Sequence, residues 1–346
     1  MVNFASDNVT GACPEVLQAV IDANDSGPRM PYGNDAATQA IEARLGEVFG
    51  TDVKVFLVAT GTAANSLALA ALAPPWGAVY CHEEAHIQNS ECGAPELFSG
   101  GAKLMPVAGS QGKLEAATLE AAIDRSGSVH HSKPAALSLT QSTEAGTLYR
   151  PAEISALTQI ARDAGLHVHM DGARFANAVA ALDCHPADVT WKAGVDVLSF
   201  GGTKNGCLAA EAVVFFRPEL AANAAFLRKR TGHLFSKMRL LTAQFEGYLT
   251  DDAWLRHARH ANAMAARLAE GLEKVPGVAL HYPVESNQVF ARFPRAVTQK
   301  LQAQGFQFYA EMHEGASRLV TAWSTRDEEV DAFLDATRSA AQEAVA

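Results

Sequence analysis

A lone lysine, Lys204, follows the apolar run Val197-Leu198-Ser199-Phe200 and the pair Gly201-Gly202. An apolar run closed by glycine reads as a buried strand whose backbone can turn sharply at its end. Lysine near neutral pH is protonated and a poor nucleophile; partly desolvated beside a cationic or acidic cofactor, it sheds its proton more readily and can form a Schiff base. A lysine after a strand is ordinarily a solvated loop residue, and what singles out Lys204 is the sequence upstream. Asp171 follows the apolar run Leu166 to Met170 and opens Asp171-Gly172-Ala173-Arg174. A buried acid at that point needs a partner: Arg174, with the acid capping a helix, or a ring nitrogen that must stay protonated. His86 lies just past the short strand Ala78 to Cys81. There it could stack on a flat ring, shuttle a proton, or stand as a solvated surface histidine.

The elements that carry these groups repeat one arrangement. The strand Ala135 to Leu139 runs into Gln141-Ser142-Thr143-Glu144, so successive strands place polar groups at their C-terminal ends. In an open α/β sheet that edge is where ligands bind. Lys204 closes a strand-and-turn unit about thirty residues after Asp171, the spacing of one βαβ crossover. Further upstream, the strand Lys54 to Val58 leads through Ala59-Thr60-Gly61-Thr62-Ala63-Ala64-Asn65 into a helix over Leu67 to Leu72. The free N–H groups and positive dipole end of such a helix suit a phosphate. The segment is neither the GxGxxG of a dinucleotide site nor a P-loop.

A chain of 346 residues, 48% apolar, is long enough for a large core and is expected to split into one big and one small domain. The boundaries expected are 1–250 for a large domain with an N-terminal arm and 251–346 for a small α+β domain. The latter would begin with a helix over Asp251 to Lys274 and carry strands near Val278 to His281, Gln288 to Phe293 and Ser317 to Trp323, with Arg318 pointing inward. A formal charge of −10 with scattered cations argues against a nucleic-acid partner. No run is long enough to cross a bilayer and no leader is evident, so the cytoplasm is the expected compartment. Five dispersed cysteines form no CxxC pair and fit reduced thiols better than a metal site.

Taken together, Ala59-Thr60-Gly61-Thr62, His86, His169-Met170-Asp171-Gly172-Ala173-Arg174 and Gly202-Thr203-Lys204 resemble the L-threonine aldolases of the fold type I pyridoxal-phosphate superfamily. The likeness runs from Ser6-Asp7-Asn8 to Arg318-Leu319-Val320-Thr321. It implies an α/β large domain with a mostly parallel sheet flanked by helices, and pyridoxal phosphate as cofactor. By position, it makes Lys204 the Schiff-base lysine, Asp171 the partner of the pyridine nitrogen and His86 the group stacked on the ring. Gly61, Thr62 and the backbone of Ala63 would cradle the phosphate, with Thr203 assisting. Ser6, Arg174 and Arg318 resemble a clamp on the substrate carboxylate, for which arginine's fork is suited. Tyr32 resembles a residue that reaches an active site across a subunit interface, and Lys237 one that does the same for the cofactor phosphate; the family resemblance implies a homo-oligomer, usually a tetramer. Some members carry a second histidine after the strand near Leu139, where this chain has Thr143-Glu144.

The reaction implied is retro-aldol cleavage of L-threonine, L-allo-threonine and related L-β-hydroxy-α-amino acids to glycine and an aldehyde. The proton acceptor for the β-hydroxyl would be His86, or a water held by His86 and Glu144. A β-eliminating lyase or a small aminotransferase would use the same lysine and aspartate. A non-catalytic regulator that binds the cofactor would need a basic DNA-binding segment, and the first sixty residues show none.

Overall fold

The structure is a computed structural model that describes residues 2–345. Its centre is a seven-stranded sheet built from β1 (Lys54–Val58), β2 (Gly77–His82), β3 (Lys103–Val107), β4 (Lys133–Thr140), β5 (His167–Gly172), β6 (Val197–Gly201) and β7 (Glu211–Phe215), in the order β1-β7-β6-β5-β4-β2-β3. Every pairing among β6, β5, β4, β2 and β3 is parallel, and β7 runs antiparallel between β1 and β6. The strands are apolar on both sides because both faces are covered. Val55 and Leu57 of β1 enter one core while Phe56 and Val58 enter the other, and Ala212/Val214 and Val213/Phe215 of β7 divide in the same way. This is the burial expected of a sheet with helices on each face.

One face is covered by helices that include Ala36–Phe49, Pro151–Asp163 and Arg239–Leu249, the other by Gly61–Leu72 and Ala224–Arg230. The register sets Thr140 of β4, Asp171 of β5 and Ser199 of β6 level with one another. The C-terminal ends of three adjacent strands therefore open onto a common rim.

A second, antiparallel sheet joins β8 (Ala279–Leu280), β9 (Gln288–Arg292) and β10 (Ser317–Val320). Helices Arg295–Ala303 and Asp327–Val345 flank it. Its core takes in Phe4 from the N-terminal arm, which is tied down by hydrogen bonds from the Phe4 N–H to the Gln307 carbonyl and from the Val320 N–H to the Phe4 carbonyl, each 2.8 Å. That docking carries Ser6, Asp7 and Asn8 toward the rim of the large sheet.

Two features depart from the sequence reading. The strands β3 and β7 were not anticipated: Pro106 interrupts one, and the other opens on a charged residue, Glu211. The helix expected from Asp251 to Lys274 spans Ala253–Leu272, because Asp251 and Asp252 take left-handed φ angles of 49° and 53° that break the chain's helical path. Among the described residues no helix is long and apolar enough to cross a membrane.

Candidate active site

The rim holds a cleft of about 240 Å³ lined from several elements. Lys204 enters from the turn after β6 and Asp171 from β5, with Glu144 from the loop after β4. His86 follows β2, and Gly61 and Thr62 open the helix after β1. Lys204, Asp171, His86, Glu144, Thr203, Gly61 and Thr62, far apart in the chain, thus line one cavity. A larger groove of about 640 Å³ lies around Trp76, Val129 and Lys133, where β2 and β4 begin. It is at the other end of the sheet and lacks a buried acid–base set.

Asp171 is only 3% exposed. One carboxylate oxygen accepts the Ala173 N–H at 3.0 Å, and the other accepts the Asn65 side-chain amide at 2.9 Å. The same amide nitrogen donates to Glu91 at 2.9 Å, and His86 Nδ1 lies 2.8 Å from that Glu91 oxygen. A hydrogen-bonded line therefore runs His86, Glu91, Asn65, Asp171. The hydrogen bond to Glu91 holds the His86 pKa above its ordinary value, with Asp171 and Glu144 adding to the effect against burial. Asn65 and Glu91 were not singled out from the sequence. They are an amide in a small-residue turn and an acid in a loop, and no spacing rule links them to residue 171.

Behind Asp171, the fully buried His169 bridges Ser138 and Ser199, 2.9 Å on each side, and burial pushes its pKa down to about 4. This histidine stays neutral and ties β4, β5 and β6 together.

The helix Gly61–Leu72 is capped by Thr60, whose hydroxyl accepts the Ala63 N–H at 3.1 Å. Ala63 was expected to face the phosphate, but its donor is taken by the cap, and it lies outside the cleft lining. The first-turn N–H groups of Gly61 and Thr62 have no intrahelical partner. A Cβ at Gly61 would meet no atom within 4 Å, so the absent side chain leaves an open cradle. The Oδ1 of Asn65 and the second oxygen of Glu91 are buried without partners. Open donors at a helix start, a buried acid and a nearby lysine fit an anionic cofactor with a basic ring nitrogen.

Ser6, Arg174 and Arg318 are not among the residues that line this cleft; Arg174 gives its Nε and Nη2 to the two oxygens of Asp7, at 2.7 and 3.1 Å. The fork expected to grip a ligand carboxylate is thus taken by Asp7, which also accepts from Asn287 at 3.1 Å. Burial raises the Asp7 pKa, but the charges of Arg174 and Lys204 and these hydrogen bonds outweigh it and leave the carboxyl below its usual range. Ser6 caps the adjacent turn by accepting the Asn8 N–H at 3.1 Å. Arg318 lies over the Tyr309 ring at 5.0 Å, and its Nε is buried without a partner. Burial, and then the neighbouring charge of Arg174, hold the Arg318 pKa down. Two cations side by side favour an anion between them.

Tyr32 and Lys237 do not enter the cleft. The Tyr32 N–H bonds to the Ser236 carbonyl at 2.9 Å, and both side chains are exposed on one outer surface. Away from the cleft, Cys13, Glu15 and His257 place possible metal-ligand atoms within 4.8 Å of one another. Arg256 already pairs with Glu15 at 2.8 Å, and burial pushes the Cys13 thiol up to about 11, so the group is an ion-paired cluster unsuited to a cation.

Residues 3–295 match the β-eliminating lyase family. The chain is 47% identical over 327 residues, 94% of each chain, to the low specificity L-threonine aldolase of Pseudomonas aeruginosa. Its structure matches the threonine aldolase of Leishmania major over 100% of both chains, with a TM-score of 0.92 and 30% identity. The serine palmitoyltransferase of Sphingomonas wittichii shares the fold alone, at a TM-score of 0.74 and 17% identity over 99% of this chain and 87% of that one. A sheet with one antiparallel strand, a capped helix aimed at its rim, and these likenesses together place the chain in the β-eliminating lyase family, among its low-specificity L-threonine aldolases on the fold type I architecture.

Proposed function

We propose that the cleft cleaves L-threonine, L-allo-threonine and related L-β-hydroxy-α-amino acids between Cα and Cβ, releasing glycine and an aldehyde, with pyridoxal phosphate as cofactor. The observation that carries this reading is the meeting of Lys204 and the hydrogen-bonded Asp171 in one cleft beside an open helix start. When bound, pyridoxal phosphate supplies a sink for the electrons released as that bond opens. Lys204 would hold its carbonyl carbon through Nζ, and Asp171 would keep its ring nitrogen protonated. The Gly61 and Thr62 N–H groups, with Thr203, would hold its phosphate.

The substrate carboxylate falls to Ser6 and Arg318, with Arg174 held in place by Asp7. His86, its Nδ1 anchored by Glu91, would take the β-hydroxyl proton on its other nitrogen, directly or through a water that Glu144 helps to hold. General-base assistance of this kind is worth about 10²- to 10⁴-fold. Exposed Met30, Tyr32 and Phe235 support a homo-oligomeric enzyme, a dimer of dimers, in which Tyr32 and Lys237 serve a neighbouring copy's cleft. We place its work in the cytoplasm and divide the chain into a large domain, 1–250, and a small one, 251–346.

Incubation with L-threonine and L-serine in separate reactions tests the activity. Glycine with acetaldehyde from threonine supports the aldol reading. Pyruvate from serine with no glycine from threonine would make the protein a β-eliminating enzyme, and amino-group transfer to a keto acid an aminotransferase. For the cofactor, a visible band formed with pyridoxal phosphate should vanish in Lys204→Met.

A further inference from the structure

A buried carboxyl group that none of these steps uses lines the same cleft as the lysine. Glu211 opens β7 opposite Gly201 of β6 and Val58 of β1, lines the same cleft as Lys204, and is 6% exposed. One of its oxygens accepts the Gly202 N–H at 3.0 Å. The Thr203 hydroxyl also supports it, while accepting the Ala210 N–H at 3.1 Å. Glutamate is disfavoured in a fully buried strand, since taking its charge out of water is costly unless a partner compensates. The Thr203 and Gly202 hydrogen bonds and then the charge of Lys204 offset this cost only in part.

We propose that Glu211 is the proton partner of Lys204, a positioning residue that exchanges one proton with Nζ each time the lysine is released from and returned to the cofactor. This deepens the reading given above and rests on it. On that reading Lys204 would alternate between a free amine and a bound one, and its proton count would change with each passage. Glu211 and Lys204 line one cleft without a direct ion pair, so the carboxylic acid passes a proton to the neutral Nζ through a water between them, leaving carboxylate and ammonium; the reverse transfer restores the pair. No redox partner is needed.

The surroundings agree with a group that changes state near neutrality. Burial raises the Glu211 pKa, the Thr203 and Gly202 hydrogen bonds and the Lys204 charge lower it, and Asp171 raises it, to about 7. The other titratable groups that sense Glu211 are the Cys207 thiol and the Tyr248 hydroxyl, both held neutral by burial with their pKa values pushed well up. Asp171 also acts on Glu211, and Asp7, held by Arg174 and Asn287, senses the charge of Lys204.

The experiment titrates the visible absorption of the holoenzyme against pH in wild type and in Glu211→Gln. Glutamine still accepts the Gly202 N–H, so a purely structural role would leave the titration unmoved. Loss of the carboxylate should instead move the midpoint of the Lys204 linkage down by about one to three pH units, and Glu211→Asp should move it back toward wild type. Identical midpoints in wild type and Glu211→Gln overturn the proposal. Should the Gln variant fail to fold, wild-type holoenzyme carrying ¹³C-carboxyl-labelled glutamate decides. One carboxyl signal must titrate near neutrality and shift when glycine is added, and its absence overturns the proposal. A wild-type protein that forms no visible band with pyridoxal phosphate would instead refute the cofactor reading, a result distinct from either.

Discussion

Oε1 of Glu91 lies 2.8 Å from Nδ1 of His86 and at the same time accepts a hydrogen from Asn65, whose amide also reaches Asp171. His86 is thereby tied to Asp171 across the cleft lining by side chains alone. This hydrogen bond is the largest cause of the raised His86 pKa.

Glu91→Gln removes that charge while keeping a hydrogen-bonding side chain. The His86 pKa should then fall. If neutral His86 takes the β-hydroxyl proton, the acid limb of the kcat profile moves to lower pH by about one unit or more. His86→Asn should lower kcat and retain cofactor. An acid limb identical in wild type and Glu91→Gln would dismiss His86 as the titrating base.

The Asp7–Arg174 pair gives a stability prediction. Both side chains are buried, and removing one leaves the other charge without compensation. Asp7→Asn should cost roughly 3–5 kcal/mol in urea unfolding at neutral pH. The Asp7 pKa is depressed in the folded state, so its contribution is complete above about pH 4, the ordinary carboxylate value, and is lost as pH falls through the depressed one. The gap between wild type and Asp7→Asn should narrow only in that acidic range. A constant gap down to about pH 2 would count against the assigned coupling.

His169 predicts a different window. Its folded pKa is about 4, below the ordinary value of 6.5, so the folded state resists protonation that the unfolded chain accepts. Stability is complete above about pH 6.5 and declines toward about pH 4. The difference in pKa corresponds to about 3 kcal/mol for this fully buried group. His169→Gln retains polar atoms for Ser138 and Ser199, and should flatten this slope when the urea midpoint of the apoprotein is followed from neutral pH downward. An unchanged slope would mean that other groups set it.

These comparisons also show why the sequence was informative in some places and silent in others. Lys204, Asp171 and Glu144 were legible because each ends an apolar strand, and parallel strands deliver their C-terminal ends to one rim. The cap at Thr60 was harder to place: the turn pointed to a phosphate site, but only the fold shows the Ala63 donor spent on Thr60. Glu211, Asn65 and Glu91 were missed because their partners are set by sheet order. Glu211 reaches the cleft that holds Lys204 because β7 folds back antiparallel on β6 and sets Glu211 opposite Gly201. Asp7 sits in the polar segment Ser6-Asp7-Asn8, yet its grip on Arg174 depends on the arm docking against the small sheet.

Two glycines separate holding the fold from holding the cofactor. At Gly201 a Cβ would lie 2.6 Å from the Ala173 carbonyl oxygen and 2.8 Å from its Cα, both backbone atoms that cannot move aside cheaply. Gly201→Ala should therefore lower the urea midpoint, by about 1–3 kcal/mol in free energy. At Gly61 the same methyl group meets nothing in the protein. Gly61→Ala should leave apoprotein stability unchanged or raised by about 0.4–1 kcal/mol, while the methyl group intrudes on the open cradle. Pyridoxal phosphate should then bind about tenfold more weakly or worse, a loss of at least about 1.4 kcal/mol. Equilibrium titration of the apoprotein at fixed pH measures this directly. Wild-type affinity in a stably folded Gly61→Ala would move the phosphate away from the start of this helix.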